Sequence, residues 1–591
     1  MDRGSLLKWI LIGVAAVLFF QFGYPALFGK KQSSELQPLD VKDSSAPPPE
    51  RRAPEAYCTI QGPRFRAELG TRGGSLRHVW IEGEKYSREE GGKRVPTDLV
   101  TTTAEARMPL RTVLRAPSGT DQVMFDDLDW KIEERSDQAC SFGYRDERAA
   151  LRKVVRADGR PFELVVELTV QNLAREPQKH RLAVEQSDWR TTKEMAGSWG
   201  RISEFGTTAV IRAGSETLRL GPDDFEPDDF KDKGFTAERW RRAAASAKWA
   251  AVSSAYFSKA VAHLGGPAEP AGEAQIEECW DIARHPNKSD DPNHGHVFRA
   301  RLAYPVMELG PQASATYRVL AYVGPKERAL LAAVGGDGRL QAQELLELGW
   351  FGWIGKILIQ YLYLLYGVTR TWGWAICLLT ITVKVVLFPL SITQIKSSMA
   401  MRRLKPQMDE INLRYKDDPA QKGLAIQELW RKNNVTNPML GCLPVLLQMP
   451  VWFALYQALQ TAVELYHTPF GPFIPDLSAP GRYFIIPAVL GASSFLQQKM
   501  MPMQGDPMQQ KMMLYMMPAI FTVFMLFLPA GLGIYFLTNT CLSITQQIAV
   551  EKYYQARHKT EGGGENKAPA AVAAGTPRAF GKGKTRVQQD R

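Results

Sequence analysis

The 591-residue sequence lacks the short motifs that mark the common classes of enzyme. It has no G-x-x-x-x-G-K-[ST] loop for a nucleotide phosphate, no H-E-x-x-H zinc helix and no nucleophile elbow. No two acidic residues are paired inside an apolar segment, because Glu464 stands alone at the end of one. These absences argue against covalent or hydrolytic chemistry. We therefore expect no catalytic residue, no cofactor and no small-molecule substrate.

Cysteine is also scarce. The six cysteines are divided equally between a polar region and apolar segments, as Cys58, Cys140 and Cys279, and Cys377, Cys442 and Cys541. An odd number in the polar region allows one disulfide there and requires none. The sequence is therefore not that of a disulfide-rich scaffold.

Residue types that bind metals cluster once, in the polar region. The cluster comprises Cys279, His285, Asp290, Asp291, His294 and His296. Thiolate, imidazole and carboxylate are suitable ligands, but the spacing matches no zinc pattern, and Pro286 and Pro292 are typical of an ordinary polar loop. We therefore predict a loop here rather than a metal site.

The N-terminal segment has the composition of a membrane anchor. Residues 9–28 are apolar and flanked by basic residues, and about 20 helical residues at ~1.5 Å each match the ~30 Å hydrocarbon core. A cleaved signal peptide would have a shorter apolar region and a small-residue cleavage site. We predict a retained transmembrane anchor over 1–31, followed by a Pro/Ser-rich tether over 32–55.

Residues 56–345 carry the pattern of many short strands. Apolar and β-branched residues dominate 162–172 (FELVVELTVQN) and alternate imperfectly in 317–323 (YRVLAYV), and Gly70 and Gly73 separate further short runs. Many strands with turn residues between them predict one large β-sandwich with its own core.

The C-terminal part contains five apolar segments that we interpret as membrane spans. They are residues 373–390, 439–463, 483–500, 514–528 and 531–550. The preceding stretch, 350–368, is also long enough to span, but Lys356, Gln360 and its tyrosines favour an amphipathic interfacial helix over 346–370. The predicted fold is a multi-domain membrane protein. It has an α-helical transmembrane bundle of six spans, five of them in a core at 371–550, and a large all-β domain.

The distribution of basic residues predicts the orientation of the spans. Residues 391–438 contain nine Lys/Arg against five acids, and the tail at 551–591 contains nine against four, whereas 464–482 contains one. Because basic loops stay in the cytoplasm, the 391–438 segment, both termini and the tail are predicted to be cytoplasmic, with the β-domain outside. The 391–438 segment has helical periodicity around a turn at 417–419, which favours a helical hairpin over a charged linker.

One lysine lies inside an apolar segment, where a charge is costly. Lys384 is six residues before Leu390, about 9 Å along a helix, and Thr380 lies one turn before it on the same face. An intramembrane charge marks a functional site unless its side chain snorkels to the interface. Polar residues in other spans, including Gln448 and Asn539, favour a shared hydrated groove open to the cytoplasm.

Methionine is concentrated in the same region. Of 19 methionines, 14 lie between residues 399 and 525, and eight lie between 500 and 517. Flexible, polarizable side chains suit a surface that accepts varied apolar partners, although ordinary lipid-facing packing would also use them. The methionines that we predict to contact a substrate are Met500, Met501, Met503, Met508, Met512 and Met513.

Several parts of the sequence resemble a known family of membrane proteins. They are NPMLGCLPVLLQMPVWFALYQAL at 437–459, DPMQQKMMLYMMPAIFTVFMLFLPAGLGIYF at 506–536 and, in the β-region, TRGGSLRHVWI and AYFSKAVAH. They resemble the YidC/Oxa/Alb membrane-protein insertases, in the Gram-negative form with a large periplasmic domain. The resemblance implies a non-enzymatic insertase and chaperone of the bacterial inner membrane, acting alone or with the Sec translocon. It also implies a periplasmic β-super-sandwich similar to galactose mutarotases.

The resemblance implies roles for individual residues. The family's groove cation, usually arginine, matches Lys384, its groove threonine matches Thr380, and its groove tyrosine falls at Phe536, beside Tyr535. Arginine stays charged, whereas a desolvated lysine can lose its proton. The expected partners are nascent or completed membrane proteins, membrane lipids and, through phosphate contacts of the basic tail, the ribosome.

Two other functions would fit a membrane protein with a β-domain. A small-solute transporter would show inverted repeats and discontinuous helices, and we find no repeat among the five core segments. A membrane-anchored sugar-binding protein would require convergent acids and histidines in a concave site of the β-domain. Both remain alternatives to the insertase at this point.

Overall fold

The structure is a computed structural model that describes residues 36–39 and most of 52–561. The segments outside the described residues are 1–35, 40–51, 91–92, 104, 116–122, 125–129, 197–202, 222–238, 244–245, 266–271, 281–294, 337, 350–351, 416–417, 434–442, 482–483, 501–509 and 562–591. The predicted anchor and most of the tail therefore lie outside the described residues.

Antiparallel strands build the first large domain. In chain order they are β1 (Leu36–Leu39), β2 (Tyr57–Gly62), β3 (Phe65–Gly70), β4 (Leu76–Ile81), β5 (Ser87–Glu90), β6 (Lys93–Pro96), β7 (Thr112–Arg115), β8 (Val123–Met124), β9 (Lys131–Arg135), β10 (Ala139–Arg145), β11 (Ala149–Ala157), β12 (Glu163–Asn172), β13 (Gln178–Thr191), β14 (Thr208–Ala213), β15 (Glu216–Leu220), β16 (Arg239–Ala243), β17 (Ala247–Ser253), β18 (Phe257–His263), β19 (Glu273–Trp280), β20 (Gly295–Ala303), β21 (Met307–Leu309) and β22 (Ser314–Pro325).

Two large sheets pack face to face around one core. The first has the strand order β15-β14-β17-β18-β22-β12-β11-β10-β9. The second has the order β1-β16-β19-β20-β13-β7-β8, with β21 also paired to β13. Strands β17 and β18 of the first sheet lie against β20 of the second. The prediction of a large all-β domain is confirmed.

The central strands form where the sequence is most apolar. In β12 and β22, Val166 is opposite Val319 and Leu164 is opposite Ala321. All four side chains are fully buried. Cross-strand pairs of this kind stabilise a sheet and fix its register, because a slip of one residue would turn them to the other face.

Two lysines are also buried in the β-domain. Lys153 donates a hydrogen bond to the carbonyl of Leu110 at 2.7 Å, and burial lowers the pKa of its amine to about 7. Lys259 donates to the carboxylate of Asp188 at 2.8 Å. Burial alone would raise the pKa of Asp188, but the charges of Lys259 and Arg190 outweigh burial, so this pKa is lowered.

A disulfide between two buried cysteines joins two strands of this domain. It links Cys58 in β2 to Cys140 in β10, with a Cα–Cα distance of 6.1 Å. The sequence left open whether any cysteines pair. Of the predicted loop with metal-binding residue types, His285, Asp290, Asp291 and His294 lie outside the described residues. Among the residues that are described, no three metal-ligating side chains converge.

One part of the predicted tether belongs to a sheet. Residues Leu36–Leu39 form β1, which pairs antiparallel with β16, so that Leu36 is opposite Ala243. The prediction of an unstructured tether over all of 32–55 is therefore wrong at these residues. An edge strand is held by backbone hydrogen bonds to its neighbour, which do not depend on side-chain type. A prediction from composition alone therefore misses such a strand.

The second part of the chain is helical. The helices are α1 (Thr192–Met195) and α2 (Arg328–Ala333) within and after the sheets, then α3 (Gly352–Thr369), α4 (Trp372–Val386), α5 (Phe388–Arg414), α6 (Pro419–Lys432), α7 (Leu443–Thr461), α8 (Ile485–Met500), α9 (Met517–Met525) and α10 (Ala530–Glu561). A π-helical turn, Met512–Met516, leads into α9. Helix α10 packs against α4, α5 and α8.

The first predicted core span is shorter than expected. We predicted 373–390, but α4 ends at Val386 and the chain bends into α5, which has Pro389 in its first turn. Proline lacks an amide donor and disfavours helical backbone before it, which explains the break. Among the described helices, none alone has both the length and the apolar composition of a span. Together, α4 and Ser391–Arg414 have both, across a bend of 70°.

Two other helices differ from the predicted boundaries. Helix α10 continues to Glu561, beyond the boundary predicted at residue 550, because no glycine or proline interrupts it. Helices α5 and α6 lie on either side of the predicted turn, and the side chain of Asp418 caps the first turn of α6. They share a small apolar core that includes Met401 and Met408.

The β-domain and the helices meet at the end of α7. Val463 belongs to the core of the β-domain, and its neighbour Ala462 belongs to the core of the helices. The carboxylate of Glu464 accepts hydrogen bonds from the Arg328 amide at 3.1 Å and from the Tyr363 hydroxyl. The two parts therefore share a packed and hydrogen-bonded junction.

Candidate functional site

Lys384 lies in the last turn of α4 and is 8% exposed. Its amine donates to Oγ of Ser543 in α10 at 2.8 Å, and that hydroxyl donates to the carbonyl of Asn539 at 2.7 Å. Within the described residues, no carboxylate forms an ion pair with Lys384. The Ser543 hydroxyl is a neutral partner. Because an ammonium group has three N–H donors, the amine of Lys384 keeps donors for a ligand.

Lys384 lines a cavity of about 160 Å³ between four helices. The lining residues, which are polar except for Ile395, are Lys384, Ser391, Gln394, Ile395, Ser398, Gln497, Asn539, Ser543, Gln546 and Gln547. A water molecule needs about 10–15 Å³ and a few polar partners, so the cavity can hold several waters. The arrangement is a polar cavity with room for water and with one lysine amine in its wall.

Sequence spacing explains how two helices contribute to this cavity. On α10, Asn539, Ser543 and Gln547 are four residues apart and share one face. On α5, Ser391, Gln394 and Ser398 follow the same three-to-four spacing. The bend after α4 turns this face of α5 toward Lys384.

A carboxylate beyond the cavity is already paired. Gln547 donates to Glu551 at 3.2 Å and to the carbonyl of Met500 at 3.0 Å. Glu551 forms an ion pair with Arg402 of α5 at 3.2 Å. Glu551 therefore does not neutralise Lys384.

Some predicted groove residues lie near Lys384 but not on the cavity wall. Thr380 is buried and donates its hydroxyl to the carbonyl of Ile376 in its own helix at 2.7 Å. Tyr535 is buried in the apolar core of the helices, and Phe536 packs against that core. The ring centroids of Phe536 and Phe521 are 5.2 Å apart. Of the predicted groove residues whose side chains are described, the structure brings Lys384 and Asn539 together on the wall.

The remaining predicted residues are described in part. Gln448 lies on α7, but its side chain is outside the described residues, as are Met501, Met503 and Met508. Met500 ends α8, and Met512 and Met513 lie in the π-helical turn, where Met513 is 39% exposed.

Seven polar wall residues were not among the predicted site residues: Ser391, Gln394, Ser398, Gln497, Ser543, Gln546 and Gln547. Ser543 and Gln497 are polar residues inside predicted spans, and this position could have identified them as groove residues. The three on α5 fall in a segment that we interpreted as a cytoplasmic hairpin. Their one-sided spacing was the signal that could have identified them.

Comparison with known proteins covers both parts of the chain. Residues 57–361 match the YidC periplasmic domain family, and residues 364–558 match the 60Kd inner membrane protein family. The membrane protein insertase YidC of Anaeromyxobacter dehalogenans (strain 2CP-C) is 35% identical over 524 residues, which cover 85% of this chain and 86% of that protein.

A second relative and a solved structure extend over more of the chain. The membrane protein insertase YidC of Geobacter metallireducens is 27% identical over 579 residues, 92% of this chain and 98% of that protein. A crystal structure of an active YidC insertase with its first transmembrane domain resolved aligns with 93% of this chain and 99% of its own. Its sequence identity is 16% and its TM-score is 0.35. The two family models and the 35% identity to the Anaeromyxobacter dehalogenans protein show that the chain belongs to the YidC family of membrane protein insertases, non-enzymatic proteins of the inner membrane that carry a periplasmic domain.

Proposed function

We propose that this insertase uses the cavity at Lys384 as a groove that receives a polar segment of its client membrane protein. The proposal is carried by the buried amine of Lys384, which lies in a polar cavity and has the hydroxyl of Ser543 as its one hydrogen-bond partner among the described residues. A cation held by a neutral partner can bind a carboxylate, and the surrounding amides and hydroxyls can hold water. The preferred clients are therefore proteins whose translocated segment is acidic.

The groove would reduce the cost of moving such a segment across the membrane. Insertion scales assign about 2.5–3.5 kcal/mol to one charged residue at the centre of a spanning helix. An ion pair with Lys384 offsets part of this cost, because opposite charges attract more strongly where water is scarce. The client's apolar helix leaves along the outside of the bundle, and no nucleotide is consumed.

Exposed apolar faces support contact between these helices and lipid. On α3, Trp353, Ile357, Leu364 and Val368 are each at least 57% exposed and lie on one face. A similar exposed set comprises Met517, Ile520 and Val523 on α9 and Phe527 just after its end. We propose that α3 lies in the interface plane, and that the anchor and five core segments form six spans.

The proposed orientation places both termini, 391–438 and the tail in the cytoplasm. The basic residues of these segments support it. In this orientation Lys384 and the cavity lie near the cytoplasmic side, where a client arrives. Met500 at the end of α8 and Met512 and Met513 in the π-helical turn would lie toward the same side and offer adaptable apolar contacts.

Further partners follow from the same orientation. The basic tail at 551–591 would contact ribosomal RNA through phosphates, and the contact would weaken steeply as salt increases. Cooperation with the Sec translocon is proposed from family resemblance. Ribosome co-sedimentation of a chain truncated after residue 561, compared with the full chain at low salt, tests the tail.

Insertion of paired clients tests the groove. One single-span client carries an acidic translocated tail, and a second carries glutamine in place of each acid. We expect Lys384→Ala to slow insertion of the acidic client about tenfold, the effect of ~1.4 kcal/mol, and to affect the neutral client much less. Lys384→Arg should insert both clients.

Lys499→Ala is the matched control, because Lys499 is an exposed lysine in the last turn of α8. It should insert both clients at the normal rate. Equal slowing of both clients by Lys384→Ala would show that the lysine has a structural role. Normal insertion of the acidic client would remove the charge role altogether.

A further inference from the structure

The loop that follows α7, residues 462–481, lies across the end of α4 that is remote from the cavity. Gly373 is in the first turn of α4, and a Cβ built on it would be 2.1 Å from the ring of Phe470 in this loop. The rings of Trp374 and Phe470 meet edge-on, with 5.6 Å between their centroids. Phe470 therefore packs directly on the backbone at the start of α4, where no side chain would fit.

The same loop caps the start of α10. This helix begins at Ala530, and the first amides of a helix have no acceptor within it. The amide of Ala530 donates to the carbonyl of Ala479 at 2.8 Å, and the amide of Gly531 donates to the carbonyl of Leu477 at 2.8 Å. The loop therefore holds the end of α10 through backbone hydrogen bonds.

Contacts within the loop fix these two attachments relative to each other. The amide of Phe470 donates to the carbonyl of Ile474 at 2.8 Å, and the amide of Leu477 donates to the carbonyl of Thr468 at 2.9 Å. Leu465 and Leu477 are each 1% exposed in the core of the helices. Proline rings, which each fix one backbone dihedral, stiffen the loop further. The prolines are Pro469, Pro472, Pro475 and Pro480.

The other side of the loop belongs to the β-domain. Val463 is fully buried in the core of that domain. The ring of Tyr466 packs against the same core, with its centroid 4.8 Å from that of Tyr256. The loop therefore attaches α4 and α10 to a domain that has a core of its own.

The alignment of α4 with α10 decides the contact of Lys384. Between the loop and the cavity, Sγ of Cys377 lies 3.5 Å from Oγ1 of Thr538, and neither helix is interrupted before Lys384 meets Ser543 at 2.8 Å. A slide by one residue is about 1.5 Å, whereas the lengths of good N–H···O bonds vary by only about 0.5 Å. The amine of Lys384 therefore reaches Ser543 only while the two helices stay in register.

We propose that the loop at 462–481 is a brace that holds α10 in register with α4, and that Phe470 is a positioning residue for Lys384. This role rests on the proposed binding of an acidic client segment by Lys384. Phe470 acts at the remote end of α4, through the helix. Without its ring, α4 and α10 slide against each other, and the amine of Lys384 leaves its place in the cavity wall.

Insertion of the paired acidic and neutral clients tests the brace. We expect Phe470→Ala to slow the acidic client severalfold, up to about the tenfold loss expected for Lys384→Ala, and to affect the neutral client much less. In a chain that already carries Lys384→Ala, Phe470→Ala should cause no further loss, because both changes act through one amine. Further slowing in that chain, or equal slowing of both clients, would overturn the positioning role.

A second change in α4 separates positioning from misfolding. Gly373→Ala puts a methyl group where the ring of Phe470 lies, so in the Phe470→Ala chain this methyl occupies vacated space. The double variant should regain part of the lost insertion of the acidic client. Phe473→Ala is the matched control, because Phe473 is in the same loop and is 60% exposed. It should insert both clients normally, and slowing by this control or no recovery in the double variant would overturn the role of Phe470.

The thiol of Cys377 gives a readout that does not depend on clients, because it lies at the contact of α4 with α10. The other cysteines outside the disulfide are removed by Cys279→Ser, Cys442→Ser and Cys541→Ser. In membranes, alkylation of Cys377 in the full chain should become severalfold faster with Phe470→Ala and stay unchanged with Phe473→Ala. Unchanged alkylation with Phe470→Ala would overturn the brace. Faster alkylation together with normal insertion by Lys384→Ala would support the brace and remove the role of Lys384, so the two proposals fail separately.

Discussion

Reduction of the Cys58–Cys140 disulfide should destabilise the β-domain strongly. The two cysteines are 82 residues apart in the sequence, and both side chains are buried. The chain-entropy relation for a cross-link that closes a loop of this length gives about 4.5 kcal/mol at 25 °C. A typical domain is stable by about 5–15 kcal/mol, so the predicted loss is a large part of the total.

Segment-resolved hydrogen exchange of the full chain measures this loss, because it reports the opening of β2 and β10 separately from the helices. The oxidised chain is compared with the reduced chain and with Cys58→Ala, Cys140→Ala and the double variant. If the cross-link is the cause, each single variant should lose nearly as much as the double variant. Cys541→Ala, an exposed cysteine in α10, is the control. A change below about 1 kcal/mol on reduction would refute the loop-entropy argument.

Further predictions concern the buried lysine, the helix contact and the junction. The pKa of Lys153 is about 7 in the folded chain and about 10.5 in the unfolded chain. Between these pH values the unfolded chain binds one more proton than the folded chain, so the β-domain should gain stability as pH rises from 7 to 10.5. Lys153→Met should reduce the slope of opening free energy against pH by up to about 1.4 kcal/mol per unit. Gly373→Ala places a Cβ 2.1 Å from the ring of Phe470 and should destabilise the helices by about 1–3 kcal/mol. Gly367→Ala is the control, because its Cβ meets open space and should not destabilise them. Thermal unfolding of the full chain measures both variants. Glu464→Ala should cost about 1–3 kcal/mol and speed hydrogen exchange at the Arg328 amide and in α3 around Tyr363. Unchanged exchange at both places would contradict the junction.

The sequence was sufficient to single out the lysine that lines the cavity between the helices. Lys384 could be identified because a lysine in an apolar segment is costly and therefore informative. Its partner could not be chosen, because Asn539, Ser543 and Gln547 have equivalent spacing on α10 and only packing decides which hydroxyl or amide meets the amine. Thr380 shares a face with Lys384, yet its hydroxyl is used within its own helix, which spacing does not reveal.

Boundaries and pairings were harder to predict for specific physical reasons. A cysteine pair depends on the distance between strands that are far apart in the sequence, so Cys58 and Cys140 could not be selected from the three candidates. Pro389 was a signal that the helix ends before it, so the end of α4 was predictable. We extended the span to residue 390 because residues 387–390 are apolar. We ended the last span at residue 550 because charged residues follow it. Charge marks the end of an apolar segment, whereas a helix continues until glycine or proline interrupts its backbone.

The unbroken course of α10 gives the cavity at Lys384 and the residues up to Glu561 a fixed helical phase. From Ser543 to Glu561 the helix advances about 27 Å at ~1.5 Å per residue, with no interruption. One residue added after Val550 would turn everything beyond it by about 100° around the helix axis relative to Lys384 and its cavity. Seven added residues would return the end of the helix to within about 20° of its original direction, only further from the cavity. A partner that binds residues 551–561 would therefore be held at a set angle to Lys384 and its cavity.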